Sequence, residues 1–335
     1  MTRKKVTMQT IADQLNVSKV TVHKALNGKS DISDKLRETI LQKSIDLGYE
    51  NIDPLAKHCR NFFFLISKEF YHSSEQYYRT FFNKLSTLFD SYGIRLELKL
   101  IENHFDATRF ADVNKRFLST FGVYIAGPSD KRILQNLADA KIPVVAIDCV
   151  SESANVSFLF IDNYRAGYKL TNYLIETGHK NICAVIDTTK SSSNLDKFFG
   201  FRKSLEQHGI QFKTSMHISA DFSKVKNIVD FQMPSPLPDA FIFDCDYAAY
   251  NFYICALSHS ISIPYDVSVA AFDNTELCLD MSPQLTSIGP DVDEIVQKCH
   301  DAMLTIFERG YCKNSVETIY SLLHKRPSVK TPLTK

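Results

Sequence analysis

No run of apolar residues in the chain approaches the roughly 18–20 needed to cross a bilayer, so a membrane-embedded protein is not expected. No Cys-x-x-Cys pair occurs among the eight cysteines (59, 149, 183, 245, 255, 278, 299 and 312). Scattered thiols in apolar contexts read as buried and reduced rather than as a zinc site or a disulfide framework. The 11 glycines and 10 histidines form no Gly-x-Gly-x-x-Gly, no full Gly-x-x-x-x-Gly-Lys-Ser/Thr phosphate loop (Gly28-Lys-Ser30 has His23 where the first glycine would stand), no Gly-x-Ser-x-Gly and no His-Glu-x-x-His. The commonest nucleotide, hydrolase and metalloprotease signatures are therefore missing, and neither catalysis nor a cofactor nor a metal is expected. Met1-Thr-Arg-Lys-Lys5 leads into polar, helix-forming sequence and not into the apolar core of a signal peptide, so a soluble, cytoplasmic protein is expected.

What is present fits a foldable chain of more than one unit. At 335 residues, with 44% hydrophobic and 23% charged residues, the chain has ordinary globular composition and room for two or three compact units. The net charge of +1 conceals an asymmetry: residues 1–60 carry 11 Lys/Arg against 7 Asp/Glu, while the remainder is net −3. A small basic head on a mildly acidic body points to a polyanionic partner for the head alone.

The head reads as three helices. Thr7 caps a first helix running to Leu15, with Ile11, Ala12 and Leu15 on its apolar face. Ser18 caps a second, Lys19 to Leu26, in which Val22, Ala25 and Leu26 share one side. Asn27-Gly28 stops that helix, and a third runs from about Ser33 to Leu47, with Leu36, Ile40, Leu41, Ser44 and Leu47 inward and Gly48 at its end. Two short helices joined by a tight turn and closed by a third form a helix-turn-helix, whose second helix can enter the major groove. Its outward residues are Lys19, Val20, His23 and Lys24. Lysine can donate to guanine O6 and N7 or to phosphate, and valine can touch a thymine methyl. An exposed, merely solvated helix face has the same composition.

Val17-Ser-x-x-Thr-Val-x-x-x-Leu-Asn-Gly28, followed by Ile32-Ser33 and Leu47-Gly-Tyr49, closely resembles the DNA-binding headpiece of the LacI/GalR family of bacterial transcriptional repressors. The resemblance implies base reading by Lys19 and Val20 and a groove contact from Lys24, where the family usually has arginine. It also places Thr7, Ser18, Thr21, His23 and Asn27 at the duplex. The implied partner is a palindromic operator in double-stranded DNA, bound by a homodimer.

Asp53-Pro-Leu-Ala-Lys-His-Cys-Arg60 looks like the family's hinge helix: Asp53 caps, Pro54 suits the first helical position, and Lys57 and Arg60 can meet phosphates. In the family two such helices pair in the minor groove and a leucine wedges between base pairs. Here Cys59 stands at the wedge position and the connection to Phe62 is shortened, so Leu55 or Cys59 is the expected apolar contact. The alternative is a plain linker with Cys59 packed on the body.

From Phe62 onward short apolar runs alternate with helical patterns: 62–66, 94–101, 121–125, 143–147, 158–161, 182–186, 240–243 and 267–272. This pattern implies parallel sheets covered on both faces, and the length favours two of them. Five runs end in aspartate, at Asp148, Asp162, Asp187, Asp244 and Asp273, the strand ends where open α/β sheets place ligands. Turn and cap roles compete for these positions.

The body, too, is similar to the LacI/GalR family, through Ile161-Asp-Asn-Tyr-Arg-Ala-Gly167, Gly200-Phe-Arg202 and Pro264 to Thr275 with Leu285-Thr-Ser287. The implied fold is an all-α helix-turn-helix headpiece joined to an α/β periplasmic-binding-protein-like (type I) body of two Rossmann-like subdomains. The expected organisation is 1–50 headpiece, 51–61 hinge or linker, and 62–335 effector-binding and dimerisation body. Within the body, about 62–160 and 289–320 form one subdomain and about 162–287 and 321–335 the other. A small-molecule effector, of the sugar class, is expected in the cleft between them. Carried over residue by residue, Asp148 and Asp273 match acceptors for ligand hydroxyls or amines, and Phe222 an aromatic that stacks on a ring. Lys197 stands where an arginine binds ligand oxygen, and Cys245 stands where asparagine is frequent, with Asp246 beside it. Tyr77 and Tyr78 can face the cleft, although a core or dimer role suits them equally, and Phe222 can equally be packing. A ligand-controlled repressor is the leading expectation. An exported binding protein of the same body, or an α/β enzyme, are the alternatives.

Overall fold

The structure is a computed structural model. It describes the chain except residues 1–4, 27–31, 51, 74, 103, 119, 128–129, 150–155, 223–230, 311–315 and 331–335. By internal contacts the chain divides into two compact units. The first comprises Met1–Lys68, Arg79–Leu159 and Val296–Val316, and the second Glu69–Tyr78, Phe160–Ile295 and Glu317–Lys335.

The first unit begins with α1 (Met8–Leu15), α2 (Lys19–Leu26) and α3 (Asp34–Asp46). The Thr7 hydroxyl accepts from the Thr10 amide at 3.3 Å, and Thr10 returns the bond to the Thr7 amide, a reciprocal cap that satisfies two otherwise unpaired donors. Asn16, at φ 53°, ends α1 in the left-handed conformation that asparagine tolerates, which turns the chain into α2. Ile11, Ala12, Val22, Ala25, Leu26, Ile40 and Leu41 are buried. The three apolar stripes thus close on one small core, as their spacing predicts. Asn27 and Gly28, the predicted stop after α2, lie outside the described residues.

After a short α4 (Pro54–His58) comes a sheet in the order β11-β5-β4-β3-β1-β2, built from β1 (Asn61–Ser67), β2 (Arg95–Ile101), β3 (Gly122–Ala126), β4 (Val144–Ile147), β5 (Ser157–Ile161) and β11 (Val316–Ile319). Phe62 to Ile66 are all buried, as a strand covered on both faces requires. On one face Phe63 and Leu65 pack with Phe110 of α7 (Ala107–Phe117) and with Ile133 and Leu137 of α8 (Lys131–Asp139). On the other, Phe62 and Phe64 meet Phe89 and Phe81 of α6 (Glu75–Ser91) at ring separations of 5.5 and 5.4 Å. Phe62 also meets Phe307 of α13 (Val292–Arg309) edge-on.

The second unit carries a sheet in the order β12-β10-β9-β8-β6-β7: β6 (Ile182–Val185), β7 (His217–Ile218), β8 (Ala240–Phe243), β9 (Ser268–Phe272), β10 (Thr286–Pro290) and an antiparallel edge, β12 (Ser321–His324). Helices α9 (Asn163–Glu176) and α10 (Ser192–Gln207) cover one face through Leu170, Leu174, Phe201 and Leu205. The other face packs Val185, Phe241 and Phe243 against Phe252 of α11 (Asp246–Ser258). In each unit the first strand lies between the second and the third. The chain therefore reverses its winding direction at β1/β3 and at β6/β8, the points at which open α/β sheets bind ligands. Among the described residues no helix is long and apolar enough to cross a membrane.

Candidate functional site

On α2, Val20 is 61% exposed, and Lys19 and His23 are exposed beside it, whereas Val22, Ala25 and Leu26 face the core. Lys24 is half-buried. The Ser18 hydroxyl accepts from the Thr21 amide at 2.9 Å and lies 2.8 Å from the Thr21 hydroxyl. Ser18 and Thr21 thus fix the start of α2, and Lys19, Val20 and His23 form its open face.

Helix α4 departs from expectation. Asp53 Oδ1 accepts from the Leu55 amide at 2.8 Å and the Ala56 amide at 3.4 Å, so it caps the helix as predicted. The same carboxylate also pairs with His300 Nε2 of α13 at 2.9 Å, both side chains being almost fully buried. His300 Nδ1 in turn meets Asp301 at 3.0 Å. Burial opposes a charge on this imidazole, but the two carboxylates outweigh it and raise its pKa. The His58 ring stacks on Phe307, centroids 5.9 Å apart. Leu55 is 0% and Cys59 3% exposed, with Cys59 Sγ donating to the Asn61 carbonyl and its pKa raised by burial to about 12. Leu55 and Cys59 are packed within the first unit, which is the linker alternative for Cys59, because a buried carboxylate–imidazole pair and an aromatic stack hold α4 on α13. Lys57 lies in α4, and its side chain is outside the described residues.

In the second unit charged side chains gather at the β6/β8 switch point. Ser191 caps α10 by accepting from the Asn194 amide, which turns Asn194 toward the strand ends. Its side-chain amide donates to the Asp187 carbonyl and to Asp244 Oδ2, each at 3.1 Å. One turn later, Lys197 Nζ donates to the Asp244 carbonyl at 2.9 Å, lies 3.7 Å from Asp273 Oδ1 and sits 4.8 Å over the Phe272 ring. Lys190 pairs with Asp221 at 3.4 Å. Desolvation works against the Lys190 ammonium, but Asp244 and Asp221 prevail and its pKa is raised. Asp244 is 3% exposed, and burial pushes its pKa to about 6 against the pull of both lysines. Burial likewise raises the pKa of Asp273, opposed by Lys197 and Lys190.

The structure therefore brings Lys197 and Asp273 together and adds Lys190, Asn194, Asp221 and Asp244. Of these, only Asp244 carried a signal in the sequence, as a strand-end aspartate. Asp162 and Asp187, two others of that set, are spent on local structure: Asp162 caps α9 through the Arg165 amide, and Asp187 accepts from the Thr189 amide and hydroxyl.

Two further candidates are buried. Phe222 is fully enclosed, its ring 4.7 Å from Phe231 and 5.5 Å from Phe243, the packing role that was one of the two expected for it. Asp246 is 1% exposed, and its carboxylate accepts from the Thr275 amide and hydroxyl and from the Ser287 hydroxyl, at 2.6, 3.0 and 2.6 Å. These bonds hold the turn that carries Asp273 (φ 99°) and Asn274 (φ 49°). Burial raises its pKa to about 7. Cys245 is buried, with its pKa raised by desolvation and by Asp244 and Asp273, and it packs in the same apolar cluster as Phe222. Tyr77 is half-buried and Tyr78 4% exposed, the latter ring lying 5.2 Å from Tyr77 and 5.7 Å from Phe70. In the first unit Asp148 follows β4 at φ 54°, half-buried, its amide donating to the Leu159 carbonyl. Among the described residues no three His, Cys, Asp or Glu side chains converge as metal ligands.

A cap-and-turn headpiece, two sheets with reversed winding and charged strand ends match known proteins along nearly the whole chain. Residues 171–329 match the periplasmic binding protein-like domain. The HTH-type transcriptional regulator DegA of Bacillus subtilis is 24% identical over 311 residues, which is 88% of this chain and 90% of DegA. The relatives it matches are LacI-family transcriptional regulators. Solved LacI-family relatives share the fold: a transcriptional regulator CelR–cellobiose complex superposes with a TM-score of 0.70 at 19% identity, over 97% of this chain and all of that one. The lac repressor dimer bound to operator and an anti-inducer gives 0.64 at 20%, over 97% and 99%. Gly167 and Gly200 lie where α9 and α10 touch. A Cβ at Gly167 would collide with the Lys197 carbonyl, and one at Gly200 with the Tyr164 carbonyl. These glycines let α10 approach closely enough to seat Lys197 at the strand ends.

Proposed function

We propose that the protein is a sequence-specific DNA-binding transcriptional regulator, a repressor, that acts as a homodimer on a palindromic operator under control of a small polar solute. The observation that carries the reading is the open face of α2: Lys19, Val20 and His23 project from a helix whose opposite side is locked into a core. A helix so held presents donors and a methyl contact to base edges at low entropic cost. Residues 1–50 form the reading head, 51–61 the connection, and 62–335 the solute-binding and dimerising body. The solute lies at the β6/β8 switch point, held by Lys197 and Asp273. A CelR relative was solved with cellobiose and the lac repressor with an anti-inducer on operator, which supports a sugar-class effector here. Solute binding and DNA binding are coupled reciprocally through the population of the DNA-competent state. The protein works by binding without turnover, in the cytoplasm.

A gel shift on the promoter beside its own gene, competed with random duplex, tests the reading. Preference for one promoter segment, steep loss of affinity with salt and a shift on adding effector are expected. Equal affinity for every duplex would overturn it.

A further inference from the structure

The charges at the β6/β8 switch point do not balance. Lys190 is matched to Asp221 and Lys197 to Asp273, at 3.4 and 3.7 Å. Asp244 remains. Its Oδ2 takes one hydrogen bond from the neutral Asn194 amide, and its Oδ1 is buried without any hydrogen-bond partner among the described residues. The Lys197 ammonium that comes nearest donates to the Asp244 backbone carbonyl and not to its side chain.

A buried carboxylate oxygen without a donor costs free energy, and in native structures such an atom calls for an explanation, a bound group that completes the set being one. An ordinary turn or cap role is ruled out by comparison with Asp187 and Asp162, whose oxygens accept local amides. A hydroxyl would supply one neutral donor. A protonated amine would supply the donor and also the missing positive charge, and charge-assisted bonds are roughly twice as strong as neutral ones.

We infer that the effector is a polyhydroxyl solute carrying a protonated primary amine, an amino sugar in class, and that Asp244 Oδ1 receives the ammonium. This rests on the solute site proposed above. Lys197 and Asp273 hold the hydroxyls of the same molecule. Without ligand, Asp244 takes up a proton in part near neutrality, since burial has raised its pKa to about 6, and the arriving ammonium displaces it.

The test uses the full-length protein and calorimetric titration with glucosamine, galactosamine and mannosamine, each beside its parent hexose and N-acetyl form. At least one amine should bind about ten-fold or more tighter than both of its neutral counterparts. Asp244→Asn, isosteric and verified as folded by its melting transition, should erase that preference while keeping the weaker affinity for the hexose. Asp244→Ala provides a second variant with the same expected loss. A neutral sugar binding as tightly as its amine, a preference that survives in Asp244→Asn, or no binding by any amine would each overturn the inference. The operator gel shift without ligand is scored separately, so failure of the amine assignment with operator preference intact leaves the regulator reading standing.

Discussion

Asp244 and Asp246 sit two residues apart after the same strand, yet they do different work. Asp246 receives three donors and organises the 273–275 turn, while Asp244 receives one. Asp244 was visible in the sequence as a strand-end acid, and Asp246 through the family resemblance. Their roles were not, because the deciding partners lie 29 to 50 positions away in the chain. Both carboxyls have pKa values raised above the unfolded value, to about 6 and about 7. The folded state therefore holds more protons than the unfolded chain, and stability should fall as pH rises from about 4 to 7. Asp244→Asn should flatten this slope and stabilise the unliganded protein at about pH 8 by on the order of 1–2 kcal/mol, as read by urea denaturation. An unchanged slope would mean that Asp244 is charged and satisfied without ligand. At the DNA face, Lys19→Ala should reorder base preference, whereas removing a phosphate contact weakens all sequences alike. Binding-site selection on random duplexes measures the difference, and an unaltered ranking would take Lys19 out of base reading.

Among the elements, α4 best illustrates what a local pattern conceals. Asp53-Pro54 predicts a capped start, and that start is present. Five residues of helix have no stability of their own, so where α4 goes is decided by what it packs on. Here that is α13, nearly 250 residues later, through Asp53–His300 and His58–Phe307. His300→Ala would strand a buried Asp53 carboxylate, a change costing about 2 kcal/mol or more, or roughly thirty-fold in local opening. Hydrogen exchange in residues 55–60 should quicken accordingly. Because the His300 pKa is raised, its contribution is complete below about pH 6.5 and fades as pH climbs through the raised value. Wild-type protection of α4 should therefore drop at alkaline pH, and that of His300→Ala should not. The α9/α10 contact makes the opposite case, since Gly167 and Gly200 stand within motifs that the amino-acid sequence displays directly. Gly167→Ala presses a methyl into a backbone carbonyl that cannot rotate away, and should cost about 3 kcal/mol or more in urea denaturation.

Over the whole molecule, the two sheets repeat one winding pattern, and each reverses direction after its first strand. Alternating apolar runs announced parallel sheets, and every run foreseen is a strand within a residue or two of the expected limits. What the runs did not show is the strand order, and with it the switch point that gathers Asp244, Asn194 and Lys197. Phe222 shows the same limit in reverse. Its place in the motif suggested a ligand platform, and only the packing of Phe231 and Phe243 around it assigns it to the core.

By itself the sequence determined the elements and the exposed face of α2, because these depend on periodicity and caps that act within a few residues. Tertiary structure alone decided which charges are paired, which carboxylate oxygen is left without a donor among the described residues and where α4 is anchored. Those outcomes turn on distances between groups far apart in the chain, and the cost of burying a charge has no value until its surroundings are in place.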